Sequence, residues 1–266
     1  MDKEHIRKLA ENPKFIPGIY NYCDRWCERC QFTARCMNFE LSEEQFGDSQ
    51  ARDINNEAFW QKLSEIFQLT LEMLKETAEQ EGIDLESIDY EAISQENKIV
   101  DDSAENHQCV RAAKAYGKMV NNWFDSGEDL FEERADELSQ EVRLELPGSN
   151  PQAEILDLKD SVDIIRWYQH QIYVKLKRAV SGSLRDIPEG LDEDARDSNG
   201  STKVALIGID RSIAAWSQMC EHFPEQQDSI LNILVHLDHL RRKVEAAFPD
   251  ARSFVRPGLD DTVQDI

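Results

Sequence analysis

The chain has little glycine and proline and no long apolar run, and these shortages exclude several classes of protein. Its 266 residues include 11 Gly and 8 Pro, fewer than the turns of a many-stranded β-protein require. No apolar stretch approaches the roughly 18 residues of a membrane span, so we expect no membrane partner. The opening stretch MDKEHIRKLAENPKF has no apolar export signal, and we therefore expect a cytoplasmic protein whose thiols stay reduced.

Positive charge is scarce as well. The chain has 30 Lys and Arg against 53 Asp and Glu, a formal net charge of −23. A surface this negative repels phosphate backbones, so we expect no nucleic-acid partner. The charge is uneven, because residues 1–37 hold seven basic against five acidic side chains and the remainder holds 23 against 48. Solvated acidic helix faces account for most of this charge, and they favour protein partners with basic surfaces.

Apolar residues recur at steps of three and four along most of the chain, which is the spacing of amphipathic helices. The stretch LPGSNPQ interrupts this pattern, because Pro147 and Pro151 bracket Gly148. The pattern predicts an all-α protein, a helical bundle of five or six helices with an N-terminal four-cysteine metal-binding segment. The main predicted helices cover residues 55–79, 103–124, 153–181, 202–223 and 224–248.

The same pattern predicts three parts of the chain. Residues 1–50 form a cysteine-rich metal-binding segment, residues 51–250 form the helical bundle domain, and residues 251–266 form a flexible tail. Within the bundle, the stretch RDIPEGLDEDARDSNGS is polar and acidic and has no apolar period. We therefore expect a mobile acidic loop at about residues 184–200.

The stretch CDRWCERCQFTARC gathers four of the six cysteines into residues 23–36. Thiolates so close together repel one another unless a cation holds them, and thiolate is the soft ligand that zinc and iron–sulfur clusters prefer. The spacing predicts one metal centre, and a site closed by four ligands has no open position for a substrate or water. The predicted ligands are Cys23, Cys27, Cys30 and Cys36.

Basic and aromatic side chains alternate with these thiols. Arg25, Arg29 and Arg35 would offset the negative charge of a tetrathiolate site and could donate hydrogen bonds to sulfur. Phe32, with Trp26, would shield the centre from water. We expect these side chains to surround the metal without binding it.

The compactness of the cysteine segment bears on which metal it would bind, and two metals stay open. Structural zinc modules usually pair two short Cys-x2-4-Cys knuckles across a longer insert, whereas here only Cys27 and Cys30 form a knuckle. Four ligands in one short loop favour a [4Fe-4S] cluster over Zn²⁺, which remains the alternative.

Two families of DNA enzymes have loops that this segment resembles. CERCQFTARC resembles the C-x2-C-x-F-x3-C end of the cluster loop in RecB-type iron–sulfur nucleases, with Gln31 where that loop usually has Pro. The Cys-x2-Cys-x5-Cys spacing is similar to the loop of iron–sulfur DNA glycosylases. Each resemblance covers about ten residues and implies a cluster, while neither family's catalytic motif is visible.

The first three cysteines also have the spacing of radical S-adenosylmethionine enzymes, Cys-x3-Cys-x2-Cys. Those enzymes leave one iron of the cluster open and need a barrel of βα repeats with a Gly-rich strand. Here Cys36 is available as a fourth ligand, Arg29 stands where an aromatic residue is expected, and the remaining chain has a helical pattern. The spacing therefore indicates a closed site.

The long predicted helix over residues 153–181 has a second face, and this face is the other candidate site. Asp163, Trp167 and His170 align on it, and Asp210 of the next helix could meet His170. These four residues would line a small-molecule pocket between helices. The alternative is an interhelical salt bridge of Asp210 with Lys175 or Arg178, because buried charges are retained when they are paired.

Two functions are compatible with these features. The first is a binding or interaction module stabilised by the four-cysteine centre, without catalysis of its own. The second is a redox protein in which a [4Fe-4S] cluster passes electrons to a pocket in the bundle or to a partner. The pattern leaves open whether the protein is an enzyme, which protein it binds and how many copies assemble.

Overall fold

The computed structural model describes residues 2–144, 150–185 and 193–260. Within these ranges the chain forms ten α-helices and four short 3₁₀ turns, without a strand. The all-α class is therefore confirmed, but the number of helices exceeds the five or six predicted. None of the described helices combines the length and the apolar character needed to cross a membrane.

The helices belong to two compact units. The first unit consists of the described residues within Met1–Glu96 and Val255–Ile266, and the second is Asn97–Phe254. Residue 50, the predicted boundary between the cysteine-rich segment and the bundle, lies inside the first unit. The division falls within one continuous helix, Tyr90–Asn106.

The first unit contains short helices around one long helix. The side chain of Asp2 accepts a hydrogen bond from the backbone N–H of His5 and so caps the first helix. Lys3 of that helix pairs with Glu76 of the long helix at 2.6 Å. The helices of this unit are α1 (Lys3–Ala10), α2 (Met37–Phe46), α3 (Ser49–Arg52), α4 (Glu57–Glu81) and the first part of α5 (Tyr90–Asn106).

Helix α4 is amphipathic as predicted, but much of its apolar stripe is exposed. Ala78 is its one buried residue, whereas four large apolar side chains on one side of the helix remain more than half exposed. The helical period places these four within one strip over the length of the helix. They are Trp60 at 57%, Phe67 at 61%, Leu71 at 57% and Leu74 at 60% exposed.

The second unit is a bundle built around two long helices. α8 packs along α9 and also contacts α6 and α7, while α10 packs against α6 and α9. The Asn150 side chain caps α8, and Pro151 occupies the first turn, where a missing N–H costs nothing. The helices are α6 (Gln108–Ser126), α7 (Glu128–Leu144), α8 (Pro151–Ser183), α9 (Glu193–His222) and α10 (Gln227–Ala247).

Aromatic side chains fill the centre of this bundle. Trp123 of α6 meets Trp216 of α9 edge to face, with ring centroids 5.1 Å apart. The indole N–H of Trp216 donates to the Tyr116 hydroxyl at 3.2 Å, which satisfies a polar group that is otherwise fully buried. Cys109 is fully buried in the same core.

The prediction of a mobile loop at residues 184–200 is wrong for residues 193–200. Residues 193–200 are helical and begin α9, while residues 186–192 lie outside the described part of the chain. Ser198 is buried against α8 and donates to the carbonyl of Ala179 at 3.0 Å. A Cβ on Gly182 would lie 2.8 Å from the Ser198 hydroxyl, so small polar residues bring the two helices close together without an apolar period.

The predicted tail at residues 251–266 also differs from the structure where it is described. Ala251 is fully buried, and Arg256 pairs with Asp260 at 2.7 Å. Gly258 has a left-handed backbone (φ +68), and a Cβ there would come within 2.4 Å of an Ile16 methyl carbon. Residues 251–260 are therefore packed, and residues 261–266 lie outside the described part.

Candidate metal centre

The four clustered thiols line a single cavity in the first unit. The cavity has about 350 Å³ of empty space, counting the solvent at its mouth. Its other walls are mostly apolar or aromatic, a setting that lowers the local dielectric and limits the access of water. The lining residues are Ile19, Tyr20, Cys23, Asp24, Arg25, Trp26, Cys27, Cys30, Phe32, Thr33, Cys36, Phe39 and Leu259.

Two 3₁₀ turns fold the cysteine segment around this cavity. In the first turn, the backbone N–H of Cys30 donates to the carbonyl of Cys27 at 3.1 Å. In the second, the N–H of Cys36 donates to the carbonyl of Thr33 at 3.2 Å. Cys36 is also the residue that precedes the first turn of α2, where the helix dipole favours a negatively charged group. Each turn therefore returns one cysteine to the same space.

The loop before the cysteines forms the opposite wall. Ile19 is 3% exposed and lines the cavity, and Phe15 is also buried. The backbone N–H of Ile16 donates to the carbonyl of Arg35 at 3.0 Å and ties this loop to the second turn. Leu259 closes the wall from the far end of the chain. Neither Ile19 nor Leu259 belongs to the cysteine pattern, so neither could be predicted as part of this cavity.

The thiols lie close enough to influence one another electrostatically. Burial raises the pKa of Cys27 above its usual 9.0, and the neighbouring thiols of Cys23, Cys30 and Cys36 raise it further. This is the mutual repulsion expected of clustered thiolates in the absence of a cation. The backbone N–H of Phe32 lies 3.4 Å from the Cys30 sulfur and donates to it, a contact that stabilises a thiolate ligand.

The three arginines of the segment have different positions. Arg25 lines the cavity and has a left-handed backbone (φ 55), which a residue other than glycine adopts at some cost. The Arg29 guanidinium is exposed and stacks over the Trp26 ring at 4.0 Å. Arg35 is partly buried, and its carbonyl holds Ile16. Arg25 is thus the arginine that lines the cavity together with the thiols.

The thiols share one cavity, but they do not form a preformed set of metal ligands among the described residues. Over the described residues, no group of three or more His, Cys, Asp or Glu side chains is arranged to hold a single metal ion. The predicted centre on Cys23, Cys27, Cys30 and Cys36 therefore stays a prediction, with the shared cavity as the geometry on which it depends.

The second predicted site is not assembled by the structure. Asp210 pairs with Arg252 at 2.5 Å and faces Arg241 at 3.6 Å. Asp210 thus forms a salt bridge, but not with Lys175 or Arg178 of α8 as predicted. Its partner Arg252 follows α10. His170 lines a cavity between α6 and α8 whose lining includes neither Asp163 nor Trp167. Both of those residues are partly buried on α8.

The other residues of the His170 cavity could not be predicted from the sequence as parts of a site. Lys114, Lys118 and Asn121 occupy the polar face of α6, where the helical pattern alone indicates solvent. They become part of a cavity because α8 runs alongside.

Comparisons with protein-family models, with curated proteins and with solved structures found no match, so only the chain's own residues indicate a function.

Proposed function

We propose that this protein is a binding module whose first unit is stabilised by one metal centre on Cys23, Cys27, Cys30 and Cys36. The observation that carries the proposal is that all four thiols line one cavity. A metal bound there would link the loop before Cys23, both 3₁₀ turns and the start of α2. Because such a site forms only in the folded chain, its binding free energy adds to the stability of the fold.

A [4Fe-4S] cluster is the metal centre that we favour, and Zn²⁺ is the alternative. A cluster needs its four thiolates spread around a volume, whereas a single zinc ion needs them within about 2.3 Å of one point. The preference for a cluster depends on the compact spacing of the four cysteines, all of which line one cavity. Its apolar walls and the N–H of Phe32 on the Cys30 sulfur are features that tune and protect a cluster.

The exposed stripe of α4 is the binding surface that we propose. Trp60, Phe67, Leu71 and Leu74 form it, and acidic residues such as Glu72 and Glu79 lie on the same helix. Contiguous exposed apolar side chains are typical of interaction sites. The net charge of −23 favours a basic amphipathic helix of another protein as the partner.

The metal centre and this surface are connected through α2. Cys36 directly precedes α2, and near the other end of that helix the Gln45 carbonyl accepts a hydrogen bond from Lys62 of α4 at 2.6 Å. On α1, His5 contacts Glu44 of α2 at 2.8 Å. Ordering of the cysteine segment would therefore hold α2 in the position from which it supports α4.

Metal analysis of anaerobically purified protein tests the centre directly. We expect iron and acid-labile sulfide with absorbance near 400 nm for a cluster, or zinc in a colourless sample. The Cys27→Ser variant should lose the metal and several kcal/mol of unfolding free energy. Cys220→Ser, which changes a partly exposed cysteine of α9, should keep both. Freshly prepared protein without iron or zinc would refute the centre.

A peptide-binding measurement tests the α4 surface separately. Leu71→Glu should abolish binding of a basic amphipathic peptide while the metal content and the melting temperature stay close to those of the parent. The matched control is Leu231→Glu, which changes a 43% exposed leucine of α10. Equal binding by both variants would show that α4 is not the docking surface.

A further inference from the structure

A second cavity lies between α6 and α8 and differs in character from the thiol cavity. It has about 550 Å³ of empty space, counting the solvent at its mouth. The two helices approach closely at its floor, since a Cβ on Gly117 would lie 3.4 Å from the Gln169 carbonyl oxygen. The lining residues are Ala113, Lys114, Gly117, Lys118, Asn121, Gln169, His170 and Tyr173.

A hydrogen-bond network fixes the polar wall of this cavity. Gln169 is 3% exposed, and its Oε1 accepts from Arg166 at 3.3 Å. Because an arginine can only donate, this contact sets the orientation of the amide and directs its NH₂ group to Asn121 Oδ1 and His170 Nε2. Nε2 of His170 therefore accepts a hydrogen bond at 3.1 Å.

The position of Nε2 determines what His170 offers to the cavity. In the neutral imidazole one ring nitrogen accepts and the other carries the proton, so Nδ1 is the donor here. Nδ1 lies toward Gly117, within 3.8 Å of the place that a Cβ would take. The network thus prepares an N–H donor on the cavity side of the ring.

The charge of the lining is positive in a protein that is strongly negative overall. Lys114 pairs with Glu105 at 3.3 Å, whereas Lys118, one turn further along α6, has no carboxylate partner in the part of the chain that the structure describes. Among the described residues, the lining contains no carboxylate. Lysine ammonium groups and N–H donors together suit an oxyanion.

We infer that this cavity binds a small organic anion through Lys118, Lys114 and the Nδ1–H of His170. The recognised group is a phosphoryl or a carboxylate group, because both present oxygen acceptors to the same donors. The Asn121 amide and the Tyr173 ring would contact the remainder of the ligand. This site belongs to the second unit and does not depend on the metal centre.

The inference is tested by adding anions to the protein and following the histidine side-chain signals by NMR. The probes are inorganic phosphate and succinate, each compared with sodium chloride at matched ionic strength, and His170→Gln identifies the His170 signals. We expect one or both probes to shift the His170 signals saturably. A response to phosphate alone identifies a phosphoryl site, and a response to succinate alone identifies a carboxylate site. No response beyond that to chloride would overturn the proposal.

A pair of lysine variants then separates the site from general charge. Lys118→Gln should weaken the binding of the active probe about tenfold, the loss expected for one charge-assisted hydrogen bond. Lys159→Gln removes the same charge from an exposed position of α8 outside the lining and should leave the affinity unchanged. Equal affinities for both variants would contradict the proposed site.

Discussion

The properties of single side chains in this protein depend on how closely neighbouring groups surround them. Burial raises the pKa of the Cys109 thiol to about 11, so this cysteine is a small core side chain. The pKa of the Cys27 thiol is also raised, first by burial and then by the three neighbouring thiols. Two cysteines of one chain therefore have different surroundings, because only Cys27 belongs to a dense cluster of thiols.

Gly208 is the position where an added methyl group has the clearest predicted cost. A Cβ there would lie 2.8 Å from Tyr168 Cδ1 and 3.2 Å from Ile172 Cγ1, and both side chains are buried. Gly208→Ala should therefore lower the free energy of unfolding by about 1–3 kcal/mol, although alanine is the better helix former. Chemical denaturation followed by circular dichroism measures this change.

Gly117→Ala is the matched control in a neighbouring helix. Its Cβ would be 3.4 Å from the nearest atom, which is an ordinary contact. Helix propensity then dominates, and the variant should be unchanged or up to about 1 kcal/mol more stable. A Gly208→Ala protein as stable as the parent would mean that α8 and α9 are less closely packed than the structure shows.

Among the secondary-structure elements, the helices whose ends are marked by proline or glycine were the predictable ones. The long helix predicted over residues 153–181 is α8 (Pro151–Ser183), since Pro151 marks its start and an apolar period runs along its length. The apolar face of this helix is buried in its C-terminal part, at Ile165, Tyr168, Ile172, Leu176, Ala179 and Val180. Leu158, Val162 and Ile164, toward its start, are only partly buried.

Features that depend on a neighbouring element were not predictable. The start of α9 has polar and small residues, and there Ser198 is buried and donates to the Ala179 carbonyl of α8. The apolar stripe of α4 was visible, but periodicity does not say whether another element covers it. The cysteine spacing predicted that these four thiols lie together, and all four line one cavity, whereas Leu259 enters that cavity from a distant segment. Local patterns identify faces, and tertiary structure decides what they contact.

Three helices meet at Glu105, and their contact predicts a dependence on pH. Hydrogen bonds from Tyr173 and Lys177 of α8 and from Lys114 of α6 lower the pKa of the Glu105 carboxyl from 4.5 to about 2. Because the pKa is lower in the folded state, the ionised carboxylate stabilises the fold above pH 4.5. That contribution is lost as the pH falls from there toward 2.

Glu105→Gln should reveal this contribution. The variant should melt at a lower temperature than the parent at pH 7, and the difference should shrink as the pH falls below 4.5, the ordinary pKa of the carboxyl. Calorimetry between pH 7 and 3 measures it. The control is Glu132→Gln, an exposed glutamate of α7, which should show little difference at either pH. A constant Glu105→Gln effect across this range would exclude ionisation as its cause.

The whole molecule carries a charge of −23, and this charge sets how its stability should respond to salt. Repulsion among many exposed carboxylates destabilises the compact chain and acts over the Debye length, which falls from about 30 Å at 0.01 M salt to about 10 Å at 0.1 M. The ion pairs are mostly exposed, such as Lys8 with Glu4, and pairs of this kind contribute between about 0 and 1 kcal/mol each.

Screening should therefore relieve more repulsion than it removes attraction. We expect the melting temperature to rise as sodium chloride increases from about 0.01 to 0.1 M, the range over which the Debye length shortens most. Neutralising Glu132 and Glu133 together, two exposed residues of α7, should raise stability at low salt and flatten this dependence. A melting temperature that falls with salt would mean that ion pairs, such as those of Lys177 with Asp101 and Glu105, outweigh the net charge.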